Sequence, residues 1–551
     1  MTQSLKIIPL GGLGTIGKNM MAIQYENDII VIDAGVMFPG EDLPGVDLII
    51  PDTTFLKDNS DKIKAILITH GHEDHTGAIP YLLKDLDVPV YAPKLAKELI
   101  ELKIRSKKIL RERTLESIEP ENKIKVGKFS VQWFRVCHSI PDAMGIVIET
   151  PLGKIVHTGD FKIDHTPADG NATDLTVLSK LSENGVLLLL SDSTYAEVPG
   201  YTPSEKIVGE TLEKVISEAS GRVIIATFAS LIARIQQILD AAVKHNRTVS
   251  FIGRSMKDNV KLALKEGYLR APDGLIVSTE EIGYISKHEV VIVTTGSQGE
   301  PTSGLTRIAK NEHKELKIFE GDTVVISATP IPGNETVVNR NINNLLKLGA
   351  KVLHDKIALV HVHGHASQEE LKLMFNVTKP KYFVPIHGEY RHLKAHADIA
   401  YSLGMKRKDI FVLVDGDVLT IDRMAAAVTD KVKAGPVYVN GPAAEAIEGT
   451  LVEDRRLLAR EGIFFIAMTI DRKTGALLTG PEILSKGVMS TETATVLNKE
   501  IEVIVRESLS KQIDSVLDIG HIEKTIKDEV SKLLIDRIGR RPILSQVIVK
   551  V

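Results

Sequence analysis

The segment Ala65-Ile66-Leu67-Ile68-Thr69-His70-Gly71-His72-Glu73-Asp74-His75 decides how this chain is read. An apolar run of strand character leads into three histidines and an aspartate at H-x-H-x-D-H spacing. In an extended backbone, residues two apart share a face, so His70 and His72 point together. Asp74 and His75 follow in the loop before a predicted helix. Zinc and similar ions take imidazole nitrogen and carboxylate oxygen, and two such ions can hold both the attacking and the leaving oxygen of a hydrolysis. A solvated polar loop accounts for one histidine but not for this density. The segment predicts a dinuclear metal-dependent hydrolase.

Other strand ends offer further ligands. They are His138 in VCHSIPDAMG, Asp160 in HTGDFKID, whose carboxylate could bridge two ions, and His387 in PIHGE. Alone, each is more often a core or capping residue. Asp33, closing IIVIDAG, reads as a carboxylate that orients a ligand imidazole. Cys137 should alternate away from His138 and reads as a small buried residue. His157 and His165 read as supporting or surface residues.

The 551 residues suggest three to four units. A composition of 43% hydrophobic and 25% charged residues is that of a folded chain, and excludes wholesale disorder. With a net charge of −4, a polyanionic partner must be held by local basic patches. A single cysteine excludes an intrachain disulfide and fits a reducing cytoplasm. MTQSLKIIPLGGLG lacks the basic start and long apolar stretch of a signal peptide. The runs Val186–Leu190 and Ile463–Ile470 are too short to cross a membrane and read as buried strands.

From Ser4 to about Ser193, short β-rich runs alternate with Gly and Asp turns. Thr202-Pro203-Ser204-Glu205 then announces a helix by capping-box spacing, with Pro at its first position. Helices and strands alternate from there to about Ala358, which predicts a parallel sheet. Ligand-type residues return at His361-Val362-His363-Gly364-His365 and Pro385-Ile386-His387, so the alternating region reads as an insertion. Ala434–Gly449 reads as a linker, followed by a strand, an amphipathic helical region from Thr491 to about Ile538, and a closing strand. Gly12-Leu13-Gly14-Thr15-Ile16-Gly17-Lys18-Asn19 matches G-x-G-x-x-G and nearly a phosphate-binding loop. Strands, not a helix, follow it, and Asn19 stands where a magnesium-binding hydroxyl belongs. It reads as a turn lining the site, with no nucleotide cofactor.

With these residues assembled, the chain resembles the metallo-β-lactamase superfamily and, within it, the β-CASP nucleases of the bacterial ribonuclease J family. The resemblance runs essentially end to end, through GGLGTIGKNM, THGHEDHTGAIPYLL, HTGDFKID, SDSTYAEVPGYTPSE, TTGSQGEP, IPGNE, HASQEEL and PIHGEYRHL. It implies an α/β fold: an αββα sandwich in two parts (residues 1–203 and 361–433) with a β-CASP domain inserted at 204–360. A linker at 434–455 and a small α+β C-terminal oligomerisation domain at 456–551 complete it.

The resemblance implies two zinc ions per subunit, with manganese or magnesium as alternatives. His70, His72 and His138 would hold one ion and Asp74, His75 and His387 the other, with Asp160 bridging. Asp192 and His365 match the first two β-CASP motifs, His365 as the donor of a proton to the leaving oxygen. Asp74, Asp192 and His365 are the implied catalytic set. Ala229, Ser230, Leu231, His361, His363, Gly364, His365 and Ala366 match positions that hold a nucleotide phosphate. The implied activity is 5′-to-3′ exonuclease and endonuclease action on single-stranded RNA, preferably 5′-monophosphorylated, in mRNA decay and rRNA maturation. The implied partners are a second or further copies of the chain, as a homodimer or homotetramer, and an RNA-degradation complex. The location is the cytoplasm.

Three departures from the family pattern stand out. Val362-His363-Gly364-His365 replaces Val-Ser-Gly-His, so a serine hydroxyl that meets phosphate is lost. Ser230-Leu231-Ile232-Ala233-Arg234 lacks an Asn after the Ser. Asn440 stands where an Asp would complete a calcium site near Pro44–Val46, which argues against calcium. Three rival readings remain: a DNA-directed nuclease, a small-molecule thioesterase or lactamase, and a weakly active structural paralogue in an RNA-processing complex. The insertion and His365 argue against small substrates, and the full ligand set argues against the paralogue. Arg537, Arg540 and Arg541 form a basic cluster that reads as a solvated helix end or an RNA contact.

Overall fold

The computed structural model describes residues 4–40, 43–106, 115–120, 122–183, 185–300, 302–331, 333–440, 445–447, 449–472, 474, 476–510 and 519–551. Chain contacts divide it into one unit of residues 1–38 and 49–437 and another of residues 39–48 and 438–551.

In the larger unit, apolar β-branched runs build two sheets. The eight-stranded sheet is centred on Leu5–Gly11, Met20–Tyr25, Asp28–Ile32 and Ile63–Leu67. The six-stranded sheet runs from Pro380–Ile386 through Val186–Asp192, Gly153–His157 and Met144–Thr150 to Phe129–Arg135 and Lys123–Val126. One apolar cluster draws on both: Ile7, Ile23, Ile30 and Leu67 from the first, Trp133, Ile146, Leu188 and Val384 from the second. Strand alternation supplies these inward faces.

The insertion is visible in the pairing. The chain leaves the six-stranded sheet after Asp192 and returns to the same place, since Pro380–Ile386 pairs in parallel with Val186–Asp192, Asp192 opposite Ile386. In between lies a five-stranded all-parallel sheet, in the order Thr248–Ile252, Val290–Thr294, Val223–Ala226, Thr323–Ile326, Lys351–Leu353. Successive residues of the central strand feed different apolar clusters, Val223 and Ile225 one, Ile224 and Ala226 the other. A sheet buried on both faces needs such near-continuous apolar strands.

Two local expectations change. The helix expected to be capped by Thr202 is Glu205–Glu218, capped by Ser204, whose hydroxyl accepts from the Lys206 amide. Thr202 is engaged elsewhere: its hydroxyl donates to the His365 carbonyl at 2.8 Å and its amide to Glu370 at 2.8 Å. The stretch 434–455, expected as a linker, contains the strands Pro436–Asn440 and Glu445–Ile447 and enters the helix Gly449–Glu461. Its residues 441–444 and 448 lie outside the described residues.

In the smaller unit, the sheet order is Leu477–Lys486, Ile463–Ile470, Ile543–Lys550. Phe464, Ile466, Met468 and Ile470 are buried, whereas Phe465 is half-exposed, so this strand buries one face rather than both. The helices Thr491–Ser510 and Ile519–Ile538 pack into the same apolar cluster, and 511–518 of the expected helical region lie outside the described residues. Residues 39–48 join this unit, contrary to an unbroken first part: the Asp47 amide donates to the Val439 carbonyl at 2.9 Å. Pro44 and Asn440 both belong to this unit. Arg537 is held by Glu500 through two hydrogen bonds of 3.0 Å, which removes it from a free basic cluster. Among the described residues, no helix is long and apolar enough to cross a membrane.

Candidate metal centre

Each ligand-type side chain sits just beyond a strand or in a turn that the local sequence forces. After Ile63–Leu67 the chain turns, and Glu73–Thr76 forms a single helical turn carrying Asp74 and His75. That turn lies against Gly35 so closely that a Cβ there would fall 1.5 Å from the Asp74 carbonyl oxygen. Glycine in IDAG is therefore a condition for the turn's position. Asp33 and His387 hold positive φ, +58° and +51°, a conformation that side chains other than glycine rarely adopt. Such outliers concentrate where a side chain must be aimed.

Two donor sets result. In the first, His72 Nδ1 lies 3.1 Å from both His70 Nε2 and His138 Nε2. In the second, His75 Nε2 is 3.5 Å from Asp74 Oδ2 and 3.2 Å from Asp160 Oδ2, while His387 Nε2 is 3.5 Å from Asp74 Oδ2. Asp160 Oδ2 is also 3.7 Å from both His70 Nε2 and His138 Nε2, which puts one carboxylate oxygen between the two sets.

The outer nitrogens are tied down. His138 Nδ1 donates to the Gly364 carbonyl at 2.7 Å, and a Cβ at Gly364 would lie 2.7 Å from that nitrogen. His75 Nδ1 donates to Asp33 Oδ2 at 2.7 Å, and Asp33 in turn accepts from the amide and hydroxyl of Thr69 at 2.8 Å. His387 Nδ1 donates to Asp160 Oδ1 at 2.7 Å.

The charges follow from this crowding. Burial and neighbouring imidazoles hold His70 well below the usual histidine range; burial, outweighing nearby carboxylates, takes His72 to about 4 and His138 to about 3. All three are held in the neutral form, the one in which an imidazole binds metal. Burial opposes charge on His75, but Asp160, Asp74 and Asp33 together hold it well above its ordinary value. Burial disfavours the Asp160 carboxylate, and His387 and His75 more than offset it, keeping it well below its usual range. The buried Nε2 of His387 has no hydrogen-bond partner. An orphaned imidazole nitrogen, three converging lone pairs and a shared carboxylate are the donor set that divalent cations take. The residues fit metal.

Beside the ligands, Asp192 Oδ2 accepts from His365 Nδ1 at 2.7 Å, and its other oxygen accepts from the amide and hydroxyl of Thr194 at 3.0 and 2.8 Å. Burial acts against a charged His365, yet Asp192 raises it to about 9. Asp192, His365, Asp160 and His387 form a third cluster of ligand-type atoms.

Leu231, His363 and Gly364 line one cleft with His138, Lys162 and Arg234. Ala229, Ser230, His361, His365 and Ala366 are not among its lining residues. His361 Nδ1 accepts from Arg234 Nη1 at 2.8 Å, and burial together with that guanidinium keeps it well below its ordinary value. Ala366 is buried in an apolar cluster.

Three further residues stand around the expected set. Asn19 is nearly buried with its amide nitrogen 3.1 Å from His75 Nε2. Fully buried Arg234 clamps Glu205. Tyr195 stacks on His363 with ring centroids 3.6 Å apart. Only Asn19 had a signal, as the polar end of a glycine-rich turn that does line the ligand basin. Cys137 is buried, and its thiol is pushed up to about 12 by burial. His157, expected as supporting or surface, is buried and accepts from the Gly159 amide; His165 is exposed.

Comparison with known proteins places these features in a wider set. The metallo-beta-lactamase superfamily profile matches residues 13–180, the ribonuclease J beta-CASP domain 220–345, the Zn-dependent metallo-hydrolase RNA specificity domain 350–413, and the ribonuclease J C-terminal domain 450–551. Ribonuclease J2 of Bacillus subtilis (strain 168) is 41% identical over 100% of this chain and 99% of its own length. Ribonuclease J 1 of Streptococcus pyogenes is 41% identical over 98% of this chain and 96% of its own. Ribonuclease J of Synechocystis sp. is 44% identical over 92% and 78%. A solved structure of a protein of unknown function from Enterococcus faecalis V583 shares the fold, with a TM-score of 0.54 at 18% identity, covering 76% of this chain and 100% of that one.

Proposed function

The chain belongs to the ribonuclease J family, and on that premise we propose that it is a metal-dependent ribonuclease holding two zinc ions, with manganese or magnesium as substitutes. The observation that carries this is the meeting of seven ligand-type side chains from distant segments beside the Asp192–His365 pair. His70, His72 and His138 would hold one ion, Asp74, His75 and His387 the other, and Asp160 both. When bound, such ions supply Lewis-acid charge that lowers the pKa of water toward neutrality and offsets charge developing at phosphorus.

The chain's own groups do the rest. Asp33 and the Gly364 carbonyl fix the rings of His75 and His138, so the donors stay aimed. Asp192 keeps His365 protonated, which gives it a proton to pass to the leaving ribose oxygen. The substrate is single-stranded RNA, cut from its 5′ end and internally, in mRNA decay and rRNA maturation. The 5′-monophosphorylated end is the form the resemblance implies. The C-terminal unit joins copies into a dimer or tetramer, within reach of RNA-degradation partners in the cytoplasm. The family relationship favours RNA over DNA, and 2′-hydroxyl contacts make that distinction.

The direct test is turnover of matched RNA and DNA oligomers by the purified protein, with and without chelator. Chelator-sensitive cleavage of RNA is expected. Equal turnover of DNA would move the reading to a nuclease without sugar preference, and chelator-insensitive cleavage would remove it.

A further inference from the structure

His365 stands where the chain crosses between two apolar cores. On the way out to the inserted sheet, Ala196 packs with Phe134, Leu189 and Phe383, and Val208 packs with Ile225 of the insertion. On the way back, Val362 still belongs to the insertion's cluster and Ala366 to the first. His365 is therefore part of the return crossing itself.

Both crossings meet the carboxylate of Glu370, which is fully buried in the first turn of the helix Gln368–Thr378. Its Oε2 accepts from the Thr202 amide of the outward crossing and from the Ser367 amide of the return crossing, both at 2.8 Å. Its Oε1 accepts at 2.7 Å from the Ile163 amide, on the segment that leads away from Asp160. A capping box needs only the Ser367 bond. The other two reach residues 168 and 207 positions away in the chain.

The Thr202 hydroxyl then carries the link to His365, donating to its carbonyl at 2.8 Å and lying 3.0 Å from the Ser367 hydroxyl. The crossing has other ties as well. The Gln368 and Glu369 amides donate to the Val198 and Gly200 carbonyls at 3.0 and 3.1 Å. What Glu370 adds is a tie between the His365 segment and the Asp160 segment. A carboxylate accepts at both oxygens, whereas an amide offers one acceptor and one donor group. Glutamine here would keep its oxygen for Thr202 and Ser367 and turn its NH2 toward the Ile163 N–H. Two donors face to face would part the segments while the crossing stays closed.

We propose that Glu370 is a positioning residue for proton transfer: through Thr202 and Ser367 it sets His365 against Asp160 so that the His365 proton reaches the leaving oxygen. His365 Nδ1 is taken by Asp192, so the proton leaves from Nε2. It passes to the ribose oxygen as the bond from that oxygen to phosphorus breaks. The proposal rests on the ribonuclease reading.

The test gives the zinc-loaded full chain two RNAs of one sequence. One has the natural scissile linkage; in the other, sulfur replaces the leaving oxygen and departs as a thiolate that needs no proton. Glu370→Gln should lower kcat on the natural RNA about a hundredfold, with KM within about twofold. On the sulfur RNA its loss should be less than about threefold, with bound zinc at the wild-type level by elemental analysis. Adding Glu370→Gln to His365→Ala should cost less than about threefold more on the natural RNA, because the two act through one step. Equal losses on the two RNAs, lost zinc, or no loss on the natural RNA overturns the proposal. If Glu370→Gln does not fold, Thr202→Val decides, since it removes only the hydroxyl on the His365 carbonyl. It should cost about tenfold on the natural RNA alone, and no loss or an equal loss on both overturns the proposal. A wild type inactive on both RNAs would instead bring down the ribonuclease reading, and this proposal with it.

Discussion

The ligand basin and the neighbouring cleft are both rich in buried polar groups, yet they balance them in opposite ways. In the cleft each buried cation has its carboxylate, Lys162 with Asp164 and Arg234 with Glu205. In the basin the ring nitrogens of His70 and His138 both converge on His72 Nδ1 at 3.1 Å, and His387 Nε2 has no hydrogen-bond partner. Imidazole and carboxylate donors converging on one point are the set a divalent cation takes, whereas a cation already paired with its own carboxylate leaves no donor over. The contrast separates groups that await chemistry from groups that support it.

The largest expected effect is at a ligand. His72→Ala should reduce RNA turnover to background and lower bound metal measured by elemental analysis, while the melting temperature of the metal-free protein changes little. A metal-free protein that melts much lower would make His72 a structural residue and erase the contrast. Next comes Asp192→Asn, which takes away the charge that keeps His365 protonated. It should lower kcat by about 10³-fold with bound metal unchanged. Loss of metal instead would shift Asp192 into the ligand set, as its place in the third donor cluster permits.

The cleft should respond in the reverse sense. Arg234→Met leaves Glu205 without its partner and should cost about 3 kcal/mol in chemical denaturation, with metal content intact. Unaltered stability would show that this pair is not what holds the cleft. The smallest effect falls to Asp33→Asn, which weakens the acceptor for His75. Metal affinity in competition with a chelator should drop about tenfold. No change would mean that the turn held by Gly35 positions His75 without help.

How much of this was legible follows from distance along the chain. His70, His72, Asp74 and His75 are neighbours, so residue type and spacing revealed them without a fold. Asp160 and His387 lie 227 residues apart, yet their side chains meet at 2.7 Å through Nδ1 and Oδ1. Their meeting depends on Pro380–Ile386 returning to pair with Val186–Asp192. Residue type nominated them; only the family resemblance joined them before the structure did. The Ser204 cap was displaced in the sequence reading because Thr202 and Ser204 both suit a cap, and contacts from His365 and Glu370 decide between them. Tyr195 and Arg234 had no local signal, since a stack and a buried ion pair exist only between distant segments. His361 was grouped with the phosphate residues by position, and the Arg234 guanidinium turns out to occupy its ring nitrogen.

The central claim is that the convergent donors hold the ions on which RNA cleavage depends. Its most direct measurement is restoration of activity in metal-stripped full-length protein titrated with zinc or manganese, followed by cleavage of an end-labelled RNA. Activity absent at first and saturating at two equivalents per chain is the predicted result. Full cleavage by the stripped protein, or saturation with no metal bound to the chain, would contradict it.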